Sequence, residues 1–529
     1  MRIKLGTEKW SLPPSFLIFF GLLIACEITL LFGFFSTPIV GDVTVNLASI
    51  KQAKYLGDWP NSVIESWDLR GFLNKNLMFI LHNISEIGSP STISAKEFLV
   101  KVAYFSLVIL VILISAIVLK EQFSNRTDVS FIVLLMGITV FSVSNSFVAL
   151  QAELSAAVVG ILITALASSS NQKKLILAGL LCCISIGFKG VTVLIGISAV
   201  FAGFALNHSD LISRLRKVGG SFAISLSSYL LGVVFLIPSE LIDLRNATSL
   251  QSNFSYSVLG RLKISLGSVV FQWPHVPIIA VGLFFYFLVA IKHLKSKSSN
   301  FTSAKNYSLL LLTLSLFVAF FSILVQSKGF GYHLASMIPF SFAAILVYFK
   351  ENGGLGGISS RMNYMIFALV LIVTSPTQSG IWDQLLNNYA SQITSDNRSF
   401  KMNYDSRNQA LMNLGKSIDK TCTGEILFLD FGTNYAVDNK SWLRFVVPMP
   451  IQRNLNSLRG TTLQREAVEN ALRFKGECVT LEPSRMNSVL QPWAAPLYDY
   501  INRNFLTVRV ETYQLYGEDK TTLLLRRKI

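Results

Sequence analysis

Charge is scarce in this chain. Only 14% of its 529 residues are Asp, Glu, Lys or Arg, while 51% are hydrophobic and the mean hydropathy is +0.51. That balance excludes a soluble globular protein. Cysteine is scarce too, at five residues, which excludes a disulfide-dense scaffold, and no ligand spacing of a metal site accompanies the five. In the C-terminal tail no glycine-rich phosphate loop follows a strand, so no nucleotide site is expected there. There is no internal repeat and no low-complexity segment. The first apolar run has no small-residue cleavage site after it, and so reads as a membrane span rather than a removed leader.

Long apolar runs are what the chain has instead. A helix needs about 20 apolar residues to cross about 30 Å of hydrocarbon. Eleven stretches approach or exceed that, centred near 15–37, 98–119, 129–148, 153–170, 174–188, 190–206, 219–237, 275–291, 307–326, 332–349 and 363–376. The division of the fifth from the sixth falls at Lys189. Acidic residues are outnumbered 46 to 30 by Lys and Arg, a net charge of +16. In a polytopic protein that excess first concerns orientation rather than nucleic acid. With a cytoplasmic N-terminus, sixteen Lys and Arg fall on inside segments, whereas the short outside turns near 150, 189 and 328 hold only Lys189 and Lys328. The N-terminus is therefore expected inside and the tail outside.

The organisation expected is a transmembrane module over 1–378, including a first external loop over 38–97, and an external α/β domain over 379–529. In the loop, "LRGFLNKNLMFILHNISEI" spaces its apolar residues as a helix lying in the membrane interface or as an ordinary surface helix. In the tail, "DSRNQALMNLGKSIDK" and "LQREAVENALRFKG" read as helices, and "EILFLDF", "FLTVRVETYQLY" and "TTLLLRR" as strands. Cys26, Cys182 and Cys183 lie in spans as small packing residues. Cys422 and Cys478 lie in the external tail, where they either form a disulfide or remain free thiols.

Sorted by side, several ionisable groups gather at the outer membrane face. Asp42 follows the first span, Glu153 opens the fourth, Lys189 forms the turn between the fifth and sixth, and Lys328, Tyr332 and His333 form the turn between the ninth and tenth. Each has an ordinary reading: a solvated loop carboxylate or helix cap for Asp42, a dipole partner for Glu153, a snorkelling Lys189, an interface histidine at 333. Glu27, in the middle of the first span, reads as a structural partner within the bundle. Together the outer residues are costly unless they pair or work. A carboxylate at the lipid boundary is a suitable general base for a hydroxyl, and surrounding cations hold phosphate. A phosphate leaving group departs as a stable anion that needs cations more than an acid.

Three stretches carry a family resemblance. "GDVTVNLASIKQAKYLGDWPNSVIESWDLRG" resembles the first external loop of bacterial GT-C glycosyltransferases of the protein-mannosyltransferase and aminoarabinose-transferase kind, with matches at Asp42, Gly57, Pro60, Trp67, Asp68, Arg70 and Gly71. The segment from "QAELSAAVVG" to "IGFKGVTVLIGI" is similar to that family's Glu-led span and Phe-Lys turn, and "QSKGFGYHLASMIPF" to its Gly-Lys-Gly-Phe-x-Tyr-His turn. The tail is similar to their external domain. The resemblance implies a polytopic α-helical GT-C-like fold of about eleven spans in a bacterial inner membrane. It implies an inverting transfer from a polyprenyl-phosphate-linked sugar to an envelope glycan, lipid or protein hydroxyl. Asp42 would be the catalytic base; Lys189, Lys328, Tyr332 and His333 would hold the donor phosphate; Glu153, Asp68 and Arg70 would shape the sugar or acceptor site.

Two positions depart from the family pattern. Its Asp-Glu pair is Asp42-Val43 here, and its Lys-Pro-Pro element is Arg70-Gly71-Phe72, so a second acid comes from Asp68 or Glu153. No cofactor is expected, although carboxylates leave a divalent ion open; membrane lipids are partners and nucleic acid is not. The competing readings are a transporter or flippase of lipid-linked glycans, disfavoured because the polar groups sit at one face rather than the midplane, and an O-antigen polymerase or ligase.

Overall fold

The structure is a computed structural model. It describes residues 21–25, 27–28, 30–31, 34–35, 47, 50, 71–87, 93–123, 126–141, 151–236, 258–271, 277–295, 304–326, 331–352, 400–430, 432–437, 441–443, 451, 458–515 and 518–528. The helices are α1 (Phe72–Ser85), α2 (Ile93–Leu119), α3 (Arg126–Phe141), α4 (Ala152–Ser168), α5 (Gln172–Ile184), α6 (Val193–Leu206), α7 (Leu211–Leu236), α8 (Val258–Phe271), α9 (Pro277–Lys295), α10 (Ala304–Gln326) and α11 (Ile338–Glu351). Helical residues between 21 and 35 fall in the expected first span. The expected span at 363–376 lies outside the described residues. Helix α8, which carries Arg261 and Lys263, was not among the expected spans.

Composition separates the central helices from the peripheral ones. Every residue of α4 is buried except Val159 and Leu162, and Ile338 to Phe349 of α11 are buried without a break. On α2, α7 and α10 one side stays apolar and open, with Leu110, Ile117, Leu231, Phe235 and Phe317 exposed. Contiguous apolar surface on that scale is incompatible with water and suits lipid. Among the described residues three helices, Ala95–Leu119, Tyr307–Gln326 and His333–Glu351, are long and apolar enough to cross a membrane.

Inside hydrocarbon there is no hydrophobic force between helices, so small residues let them approach. A Cβ on Gly203 of α6 would stand 2.5 Å from the Thr164 carbonyl oxygen of α4. The Glu27 carboxylate fills the space beside Gly137 of α3, which places it within the bundle. At one end of the bundle the C-terminal carbonyls of α4 and α6 are met by side chains. Gln122 Nε2 and Asn207 Nδ2 donate to the Ser168 carbonyl at 3.2 and 2.9 Å, Arg214 donates to that of Ala167, and Lys350 Nζ donates to that of Leu206 at 2.7 Å. Cations there oppose the negative end of each helix dipole and satisfy carbonyls the helix leaves unpaired.

In the tail, α12 (Phe400–Thr421) precedes β1 (Ile426–Leu429), α13 (Leu458–Leu472), β2 (Cys478–Leu481), α14 (Ala495–Asn504), β3 (Phe505–Leu515) and β4 (Glu518–Arg527). The sheet order is β1-β2-β4-β3, with β1 and β2 parallel and the other pairs antiparallel. Cys422 and Cys478 form a disulfide that ties the end of α12 to the first residue of β2. At the carboxyl ends of the parallel strands, Asp430 accepts from the backbone N–H groups of Gly432 (2.9 Å) and Thr433 (2.7 Å) and from Thr480 Oγ1. Burial, chiefly, pushes the neighbouring Glu482 carboxyl above its ordinary range.

Candidate functional site

The opposite end of the bundle holds the site, and its frame is a broken helix pair. Helix α5 ends at Ile184, a 3₁₀ turn covers Ser185–Gly187, Lys189 is extended at φ −168°, and a second 3₁₀ turn over Gly190–Thr192 opens α6. The break falls where the sequence divides its fifth and sixth spans. It projects Lys189 sideways, where a continuous helix would have kept its side chain on a packed face.

The Lys189 ammonium forms an ion pair with Glu153. Glu153 occupies the first turn of α4, where a carboxylate suits the positive end of the helix dipole, and its side chain is 1% exposed against 21% for Lys189. Lys189 Nζ also donates to Gln326 Oε1 at 3.1 Å from the last residue of α10. A buried ion pair persists only when further hydrogen bonds satisfy its remaining donors, and Gln326 supplies one. The other polar atom of Gln326, Nε2, is buried and has no hydrogen-bond partner among the described residues.

Three further elements meet this frame. A 3₁₀ segment over Gly331–Met337 follows α10 and packs against α4 and α6, with His333 fully enclosed. Helix α2 brings Tyr104, whose hydroxyl is 3.2 Å from Ser155 Oγ of α4, and Lys101. Lys101 Nζ donates to the carbonyls of Phe34 (2.8 Å) and Phe35 (3.4 Å) and lies over the Phe34 ring, fixing the chain seven residues before Asp42. Helix α1 docks through Gly71, whose N–H donates to the Phe188 carbonyl at 3.0 Å; a Cβ there would collide with the Gly187 carbonyl.

The structure thus brings Glu153 and Lys189 into direct contact and sets His333 on an element packed against the same helix. Tyr332 lies in the 331–337 segment, while Asp42, Asp68, Arg70 and Lys328 lie outside the described residues. The sequence assigned Glu153 and Lys189 to different parts of a ligand; here they neutralise one another. Gln326, Lys101, Tyr104 and Asn74 of α1 escaped the sequence reading. Lys101 carried a signal, as a charge inside a largely apolar helix. Among the described residues no three His, Cys, Asp or Glu side chains are grouped to hold a metal.

No family model matches the chain, and no curated protein does. Among solved structures the chain is similar to ArnT from Cupriavidus metallidurans, whose crystal structure is bound to undecaprenyl phosphate. The identity is 11%, the match covers 96% of this chain and 97% of that chain, and the TM-score is 0.52. The chain shares the fold of that protein. At that identity the likeness concerns the fold, and residue roles rest on the geometry given above.

Proposed function

We propose that the protein is a membrane glycosyltransferase that moves a sugar from a polyprenyl-phosphate donor to the hydroxyl of an envelope glycan, lipid or protein. The observation that carries this reading is a fold shared over nearly the whole chain with a protein crystallised with undecaprenyl phosphate, combined with ionisable groups gathered at one end of an apolar bundle. Asp42 is the general base. It takes the acceptor proton as the hydroxyl oxygen bonds to the anomeric carbon, while the bond from that carbon to the phosphate oxygen breaks on the opposite face and inverts it. The polyprenyl phosphate leaves with the electron pair.

Lys328, Tyr332 and His333 meet the phosphate, with Lys189 exposed enough to join them while paired to Glu153. Asp68, Arg70 and Glu153 shape the sugar and acceptor side. The enzyme has eleven spans in a bacterial inner membrane, with its N-terminus cytoplasmic and its tail in the periplasm. The Cys422–Cys478 disulfide supports the oxidising side for the tail.

The test is transfer of radiolabelled sugar from polyprenyl-phosphate donors to envelope extracts by the purified protein, wild type beside Asp42→Asn. The expected result is a loss of about a hundredfold or more with thermal stability unchanged. Equal transfer by the Asn variant removes Asp42 as base, and no transfer by the wild type removes the enzyme reading.

A further inference from the structure

Helix α1 carries a buried group that the reaction above does not use. Asn74 is 0% exposed, and neither its Nδ2 nor its Oδ1 has a hydrogen-bond partner among the described residues. A buried carboxamide that finds no hydrogen-bond partner among the described residues is costly to fold when its desolvation goes uncompensated. A buried group of this kind calls for an explanation, and one explanation is a ligand that completes its hydrogen bonds.

Its place on the helix points to that purpose. Gly71 and Leu73 both touch Gly187, the residue two before Lys189. Counting roughly 100° per residue from Gly71, Leu73 falls near 200° and Asn74 near 300°, between Leu73 and the return to Gly71 at 360°. Asn74 is therefore on the face that α1 presents to the Lys189 turn, and helical side chains lean toward the N-terminus, here toward Gly71 and the Phe188 carbonyl it binds. The same turn is reached by Gln326 through Lys189, and Gln326 Nε2 too has no partner among the described residues. Two carboxamides with unused hydrogen-bonding atoms therefore lie beside one turn.

The chemistry of those atoms selects the ligand. A phosphate offers only acceptors at neutral pH, so it would satisfy Nδ2 and leave Oδ1 bare. A polyhydroxylated ring offers both a donor and an acceptor from each hydroxyl, and adjacent hydroxyls meet a carboxamide in two parallel bonds. We propose that Asn74 binds the sugar of the polyprenyl-phosphate donor, with Gln326 Nε2 as a second donor to the same ring, so that α1 reads the sugar while the phosphate is held elsewhere. This rests on the transferase reading given above.

The experiment compares two ligands on the full-length protein in detergent. One is bare undecaprenyl phosphate; the other is whichever of the mannosyl, glucosyl, N-acetylglucosaminyl and 4-amino-4-deoxyarabinosyl forms the wild type binds most tightly. The variants are Asn74→Leu, which keeps the volume and removes the polar atoms, and Asn74→Ala. Asn74→Leu is expected to weaken the sugar-bearing lipid about tenfold, leave the bare lipid unchanged, and unfold at the same temperature or higher. Asn74→Ala reads the same way if the Leu side chain does not fit. An unchanged preference for the sugar-bearing lipid, or equal weakening of both lipids, overturns the role of Asn74 while leaving the transferase reading intact. A wild type that binds neither lipid overturns both.

Discussion

A carboxylate that is 1% exposed and a lysine that is 21% exposed make an unequal pair. Removing Lys189 takes from the buried member the ammonium that balances its charge, whereas removing Glu153 leaves an ammonium that still reaches solvent and Gln326. Breaking a buried pair from one partner costs about 3–5 kcal/mol, much of it the penalty of the charge left behind. Lys189→Met is therefore expected to destabilise the protein by about 3 kcal/mol. Glu153→Gln is expected to cost less, and the double variant to recover most of the Lys189→Met loss. Thermal unfolding of the four proteins in one detergent closes that cycle; strictly additive losses would mean that the two side chains do not interact. The same pair shows what a sequence conceals. Its residues, 36 apart in the chain, were legible as charges at one end of the spans, but which charge answers which depends on the break at 185–192, whose geometry no periodicity records.

At the scale of elements, the docking of α1 depends on the absence of side chains at two glycines. Gly71 and Gly187 let the first turn of α1 rest against the Phe188 carbonyl with a backbone hydrogen bond of 3.0 Å. A methyl group at 71 meets backbone rather than a movable side chain, so Gly71→Ala has to lift α1 from the Lys189 turn. The expected outcome is a fall in transfer of about tenfold or more, since a displacement near 1 Å at a site costs far more rate than stability, with a loss of unfolding stability of about 1 kcal/mol. Transfer rates and melting temperatures of wild type and Gly71→Ala check it, and unchanged transfer means that α1 takes no part in the site. Elements of this kind were legible where length and period were strong, as in α2, α10 and the long strands β3 and β4. They were missed where a segment was short or polar: β2 is four residues, Cys478–Leu481, and α14 opens with Ala495-Pro496 after a run of turns. Helix α8 lacks a long apolar run and carries Arg261 and Lys263, so a search for spans passes over it.

At the scale of the whole molecule, an 11% identity with a shared fold is what lipid-facing surfaces allow. Residues turned to hydrocarbon need only be apolar, and those between helices need only be small or matched. The tail follows another logic, because it must fold on a sheet of four strands without a bilayer around it. Its disulfide closes a loop of separation 56, a constraint on the unfolded chain of about 4 kcal/mol in the loop-entropy account. Formation of that bond requires an oxidising compartment, so it ties the stability of the tail to the orientation of the bundle. The proposed topology, an N-terminus inside and eleven crossings, would bring the tail out on that side. Protein purified without reductant, denatured and titrated, is then expected to show three reactive thiols of its five cysteines, rising to five after reduction. A Cys422→Ser, Cys478→Ser variant is expected to lose about 4 kcal/mol of tail stability and to show three thiols under both conditions. Five thiols in the unreduced wild type would place the tail in a reducing compartment, and with it would reverse the proposed orientation of every span and of the end of the bundle where Glu153 meets Lys189.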